Sequence, residues 1–261
     1  MSLRGRYLID RMKKTLNNRL RMPVPPYHKP HYWEAAYQSF GPEDSVEWGG
    51  ISLADLSEYE YQTLEWDSTR SQTNDTSITT LGKTLSVEPQ GEEDEPILML
   101  GCGNSKLGED MIQEGWRGPI IQVDVSSRVI ESMSQRCASL ITNGHMNFIE
   151  DDATELSAFR SGMMNCCFDK GLMDAIYCAD EFNQCRSILS NVNRVLKPGG
   201  IFAFLSYSRP EFLLPAIAPN DGSKPKWESI QVQGLESIIL YRLQKGAKSE
   251  RSKLSTNKRR R

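Results

Sequence analysis

Along the middle of the chain apolar residues come in short unbroken runs closed by turn residues, the pattern of strands buried on both faces. Ile97-Leu98-Met99-Leu100 lies between Pro96 and Gly101, and the run from Ile120 to Val125, broken by Gln122, follows Pro119. Three more runs are predicted as strands: residues 145–150, closing on Asp151-Asp152-Ala153; residues 163–168, closing on Asp169-Lys170-Gly171; and residues 201–207, after Lys197-Pro198-Gly199-Gly200. Between the runs the apolar spacing turns helical. One helix is predicted from near Lys106, and one from the Ser126-Ser127 cap through Val129, Ile130, Met133, Cys137 and Leu140 to Asn143-Gly144. A short helix over residues 152–159 and a long one over 181–196 complete the series. Two β-rich runs in 227–243, split by Gln233-Gly234, read as a hairpin. Five alternations of strand and helix before that hairpin predict an α/β fold: a Rossmann-like doubly wound seven-stranded sheet with an antiparallel terminal hairpin strand.

The flanks read differently. Residues 1–30 are expected as a basic arm in which residues 6–20 suit an amphipathic helix, either a transit-type address or a solvated extension. Residues 52–65 suit a helix through Leu53, Leu56, Tyr59 and Leu64. Residues 67–95, rich in Ser, Thr and Asn and then in acids, are expected as a low-complexity surface loop, and residues 244–261 as a disordered basic tail.

One turn carries candidate chemistry. Gly101 and Gly103 lack a β-carbon, so the chain can turn sharply and a ligand can come close, and Asn104-Ser105 can cap the following helix. Asp124 ends the next strand about 20 residues later, where a nucleotide site grips ribose hydroxyls. The third glycine of a nicotinamide fingerprint is replaced by Lys106, so this turn alone leaves the ligand open. Asp152 and Ala153, after the third run, either face the same crevice or cap the next helix. Trp33 and Tyr37 share one helix face, as core packing or as a ligand wall.

Composition narrows the picture. A chain of 261 residues with 38% hydrophobic content can bury one sizeable core. No apolar run approaches the roughly 18 residues of a membrane span. Six cysteines without a CxxC pair argue against a metal site and for buried thiols in a reducing compartment. The net charge of −3 conceals an asymmetry: residues 1–30 and 244–261 carry eight basic side chains each against one acid each, which leaves the body with 15 basic and 32 acidic residues. Such a body suits a basic, lysine-bearing protein partner and not a nucleic acid.

In this order of motifs the chain resembles the class I S-adenosylmethionine-dependent methyltransferases. Residues 100–105 (LGCGNS) are similar to that family's first motif, residues 123–126 (VDVS) to its ribose-binding strand end, and residues 194–200 (RVLKPGG) to the turn before its fifth strand. The branch containing the lysine methyltransferases of eukaryotic elongation factor 1-alpha also carries a YW…Y stretch, a D/E-W element and a D/E-K-G-x-x-D-A element. Here these are Tyr32-Trp33…Tyr37, Glu47-Trp48 and Asp169 to Ala175. The likeness spans residues 31–243 apart from the 67–95 loop. Where the branch begins its fourth strand with Phe-Asp, this chain has Met164-Asn165.

The resemblance implies a methyltransferase domain over 31–243 with S-adenosyl-L-methionine as cofactor. It implies that Gly101 and Gly103 admit the methionine part and the ribose, that Asp124 binds the ribose hydroxyls with Val125 beside the adenine, and that Asp152 and Ala153 meet the adenine edge. Trp33, Tyr37, Trp48 and Lys170 match contacts at the methionine end. Asp169 and Asp174 are the nearest acids for a proton-accepting role. A protein-lysine N-methyltransferase is the expected function; a small-molecule methyltransferase and a catalytically silent scaffold are the alternatives. A cytoplasmic location is expected, with mitochondrial, plastid or nuclear addresses as alternatives written in the basic ends.

Overall fold

The computed structural model describes residues 25–48, 63–67, 70–75, 95–116, 118–178, 182–219, 227–235 and 238–247. In chain order its elements begin with α1 (Pro30–Ala36), β1 (Thr63–Asp67), β2 (Arg70–Asp75), β3 (Ile97–Leu100) and α2 (Leu107–Gln113). Next come β4 (Ile120–Asp124), α3 (Ser127–Arg136), α4 (Ala138–Thr142), β5 (Met146–Glu150), β6 (Met164–Lys170) and α5 (Leu172–Tyr177). The chain continues through α6 (Phe182–Val195), β7 (Leu196–Ser206), α7 (Pro210–Ile217), β8 (Trp227–Leu235) and β9 (Ile238–Lys245).

The sheet order is β2-β1-β8-β9-β7-β6-β3-β4-β5. Strands β5, β4, β3, β6 and β7 run parallel, β9 joins β7 antiparallel, and β8 pairs antiparallel with β9. These seven strands are the mixed Rossmann-like sheet expected from the sequence. From β3 the chain winds outward through β4 and β5, then returns to lay β6 on the other side of β3. The crevice above the carboxyl ends of β3, β4 and β6 is therefore a topological switch point, where open α/β sheets bind ligands.

Alternation along the strands builds two core layers. Leu98 and Leu100 join Val123, Phe202, Phe204 and Tyr241 under α5, α6 and α7, whereas Ile97 and Met99 face Ile120, Cys166, Phe168 and Leu205 under α2. Phe204 and Tyr241 lie opposite one another across β7 and β9, rings stacked at 4.7 Å. Helix α6 exists because Cys185, Ile188, Leu189, Val192 and Val195 fall on one face and are all buried. Each such side chain contributes about 1.5–3 kcal/mol through burial, which outweighs the mediocre helix propensity of its Asn and Ser residues.

Several expectations are corrected. Thr63–Asp67 and Arg70–Asp75 are strands, not the end of a helix and a stretch of loop. The reason is tertiary: β8 would otherwise be an open edge, and Leu64, Glu65 and Trp66 pair with Val232, Gln231 and Ile230. Residues 152–159 form turns and no helix. The helix after Ser126 breaks at Cys137 into α3 and α4. Gln233 and Gly234 do not split the final hairpin: they lie within β8 and pair with Leu240 and Ile239. Helices α5 and α7 had no counterpart in the sequence reading. The expected helix at 6–20, residues 52–62 of the helix expected at 52–65, residues 76–94 of the loop expected at 67–95 and residues 248–261 of the tail expected at 244–261 lie outside the described residues. Among the described residues no helix is long and apolar enough to cross a membrane, and no cluster of His, Cys, Asp or Glu could hold a metal. The six cysteines are unpaired, five of them buried.

Candidate functional site

A cavity of about 320 Å³ opens at the switch point. Ten residues singled out in the sequence line it together: Trp33, Tyr37 and Trp48 from the N-terminal segment, Gly101 and Gly103 from the loop after β3, Asp124 and Val125 from the end of β4, Asp152 and Ala153 after β5, and Lys170 at the end of β6. They come from segments up to 137 residues apart, and the parallel register brings their strand ends to one edge: Leu100 pairs with Val123 and Asp169, and Asp124 with Glu150.

Asp124 anchors the floor. Its carboxylate accepts the Gly103 and Ser126 backbone N–H groups at 3.0 Å each, and it is 7% exposed. Burial raises its pKa, and the N–H donors of Ser126, Gly103 and Val125 oppose that rise. Gly103 has φ +52°, and a β-carbon there would lie 2.7 Å from the Tyr37 hydroxyl. The Tyr37 phenol, pushed well above its ordinary range by burial and then by the charge of Asp124, stays protonated.

Residues 27–48 close the cavity like a lid. Tyr27, Trp33, Tyr37 and Phe40 form a ladder of rings with successive centroids 5.7, 6.0 and 6.3 Å apart, and the Trp33 indole donates to the Tyr27 carbonyl at 2.6 Å. Two sets of polar contacts hold the lid down. Glu34 accepts the Ser126 hydroxyl at 2.5 Å and the Ser127 hydroxyl at 3.2 Å, and pairs with Arg128 at 3.2 Å. Further on, Asn104 accepts from Val46 N–H and donates to the Asp44 carbonyl, both at 3.2 Å. Arg136, with a side chain 5% exposed, donates to the Asp44, Asn104 and Ser105 carbonyls and pairs with Glu109.

Lys170 pairs with Glu47, and the Trp48 ring sits against Gly171. Asp169 and Asp174 are placed elsewhere. Neither lines the cavity: Asp169 accepts from the Leu172 and Met173 N–H groups that open α5, and Asp174 accepts from the Ser206 hydroxyl and the Tyr207 N–H. Burial pushes Asp169 up to about 7 and raises Asp174 as well.

The lining also includes Tyr27, His28, Thr154, Gln184 and Ile188, which the sequence did not single out, and Tyr32, named there only as part of a motif. Tyr27 had a signal, an aromatic ring six residues before Trp33. Gln184 and Ile188 had none beyond a place on the long helix.

The cavity fits S-adenosyl-L-methionine. Its volume lies at the lower end of the roughly 300–1,000 Å³ of ligand sites. A buried acceptor carboxylate at 124 suits a ribose diol, apolar Val125, Ala153, Ile176 and Ile188 suit a base, and an aromatic wall suits a sulfonium. The mouse eEF1A lysine and N-terminal methyltransferase is 33% identical over 126 residues, 47% of this chain and 18% of that protein. The bovine EEF1A lysine methyltransferase 4 is 30% identical over 135 residues, 48% of this chain and 51% of that protein. The chain thus spans from under a fifth to about half of the length of these relatives. A solved SAM-dependent methyltransferase from Methanosarcina mazei matches with a TM-score of 0.44 at 17% identity, covering 60% of this chain and 95% of that one. Residues 92–245, more than half of the chain, match the family model described as a methyltransferase domain, and the protein belongs to that family as an S-adenosyl-L-methionine-dependent methyltransferase.

Proposed function

We propose that the protein methylates a lysine amine on a basic protein, with elongation factor 1-alpha as the candidate substrate. The observation that carries this reading is the match of nearly half of the chain to proteins named for methylating eEF1A lysines. The acidic body supports it, because a surface of that sign draws in a basic protein and repels nucleic acid. A cytoplasmic place of work belongs to the same proposal.

When bound, S-adenosyl-L-methionine supplies a methyl group on a sulfonium whose departure as a neutral thioether needs no acid. The chain's task is then alignment and the exclusion of water. Asp124 would accept from the ribose hydroxyls, Val125, Asp152 and Ala153 would border the adenine, and Gly101 and Gly103 would admit the ribose and the methionine part. Trp33, Tyr37 and Trp48 would present ring faces to the sulfonium, and Lys170 would meet the methionine carboxylate. An acceptor lysine must shed its proton, from a pKa near 10.4, before its lone pair can attack; loss of water around the amine on docking disfavours the ammonium and helps it do so. Asp169 and Asp174, committed to backbone and hydroxyl donors and not themselves lining the cavity, are not assigned as bases.

The test is incubation of the full chain and labelled S-adenosyl-L-methionine with purified elongation factor 1-alpha and, separately, with cell extract. Label in the elongation factor, mapped to a lysine by mass spectrometry, is the expected result. Label confined to the metabolite fraction would overturn the protein-lysine reading.

A further inference from the structure

One side chain of the lid touches three parts of the site without lining the cavity. Glu47 accepts the Lys106 N–H through Oε1 and the Ser105 hydroxyl through Oε2, each at 2.7 Å, and Oε2 also meets the Lys170 ammonium. The Ser45 hydroxyl reaches Oε1 at 3.3 Å. Lys170 lines the cavity with a side chain 5% exposed, whereas Glu47 stands behind it. Burial works against the charge on Glu47, but Lys170 and then the donors Lys106 and Ser105 outweigh it and hold the carboxyl below its ordinary range.

We propose that Glu47 is a positioning residue for the amino-acid end of S-adenosyl-L-methionine: it fixes the Lys170 ammonium in the cavity wall and the exit of the glycine loop in one network. Recognition of the methionine carboxylate then depends on an acid that the cofactor does not touch. A lysine free to turn about its four side-chain bonds must be ordered when a carboxylate arrives, and that lost freedom weakens binding. A partner that orders it beforehand removes the loss. An ammonium has three donors, so a bond to Glu47 does not exclude a second acceptor. Against this stands the charge of Glu47 itself, which reduces the pull of Lys170 on another carboxylate. Ordering outweighs that reduction here, because Glu47 is tied on both oxygens and so holds Lys170 with little freedom of its own. The inference rests on the cofactor and is independent of which molecule accepts the methyl group.

Calorimetric titration of the full chain with two probes tests it: S-adenosylhomocysteine, and 5′-methylthioadenosine, which keeps the nucleoside and thioether but lacks the amino-acid end. In the Glu47→Gln variant affinity for S-adenosylhomocysteine falls by about tenfold while affinity for methylthioadenosine stays within about twofold, the effect of losing one charge-assisted contact. Lys170→Met gives the same selective loss, and the double variant is no weaker than Lys170→Met alone. Glu47→Asp, which keeps the charge but not the reach, also loses S-adenosylhomocysteine selectively and serves if Glu47→Gln does not fold. An equal loss for both probes would overturn the proposal by making Glu47 a support of the fold. Unchanged or tighter binding of S-adenosylhomocysteine would overturn it by making the charge of Glu47 a hindrance.

Discussion

The carboxylate of Asp124 accepts the backbone N–H of Gly103 at 3.0 Å, so the acid that ends β4 also fixes the loop that leaves β3. Its other oxygen holds Ser126 N–H, the entry to α3. In Asp124→Asn one oxygen becomes an amide, which must turn its own N–H toward one of these donors. Affinity for S-adenosylhomocysteine, measured by calorimetry, is expected to fall by about 10- to 100-fold, the cost of one buried donor left unmet plus a lost contact to the ribose. Far-ultraviolet circular dichroism should stay unchanged. Undiminished affinity would mean that the sugar is held elsewhere.

Gly103 tests how closely the lid sits on the loop. A β-carbon there would lie 2.7 Å from the Tyr37 hydroxyl but 3.7 Å from the ring carbon that bears it. Gly103→Ala should therefore lift the lid and weaken the cofactor, and Tyr37→Phe should relieve that contact in the double variant. The rescue is partial, because alanine at φ +52° retains about 1 kcal/mol of backbone strain. A double-mutant cycle on cofactor affinity measures it, and strictly additive losses would show that hydroxyl and loop do not press on each other.

The sequence made the strand ends legible because each carries its own punctuation: glycines after β3, an acid closing β4, Asp-Lys-Gly closing β6. Parallel strands then leave little choice but to gather those ends at one edge. The side chains that hold the lid were not legible. Glu34 and Ser126 are 92 residues apart, and the Val46 contact to Asn104 spans 58; neither makes a periodic pattern. The β1–β2 hairpin was missed for a related reason. Thr63–Asp67 and Arg70–Asp75 have polar strand sequences, and it is the open edge of β8 that recruits them.

Gly171 couples the end of β6 to the lid from below. It has φ +108°, and a β-carbon would lie 2.5 Å from the Trp48 ring. Gly171→Ala must therefore push the indole away from the cavity wall as well as strain the turn into α5. Cofactor affinity should fall by at least about tenfold, and the fold should lose roughly 1–2 kcal/mol in urea denaturation. Trp48→Ala removes the ring without the strain, so it should share the first loss and not the turn strain.

Asp169 gives stability a pH dependence of definite sign. Burial lifts its carboxyl from an ordinary 3.8 to about 7, while the N–H groups of Leu172 and Met173 pull the other way. Between those two values the folded chain keeps a proton that the unfolded chain has released. The folded state binds more protons there, so this group makes stability fall as pH rises from about 4 to about 7 and adds no further slope above that. At about 1.4 kcal/mol per unit the full effect is on the order of 4 kcal/mol. Asp169→Asn cannot ionise and still offers one oxygen to the start of α5. Urea denaturation of both proteins from pH 4 to pH 8 should show the wild type losing ground steadily to the variant up to about pH 7, then a constant difference. Asp174, raised by burial too, is present in both proteins and largely cancels in the comparison. A difference that does not vary with pH would mean that Asp169 is ionised throughout, its charge carried by the two N–H donors of the helix.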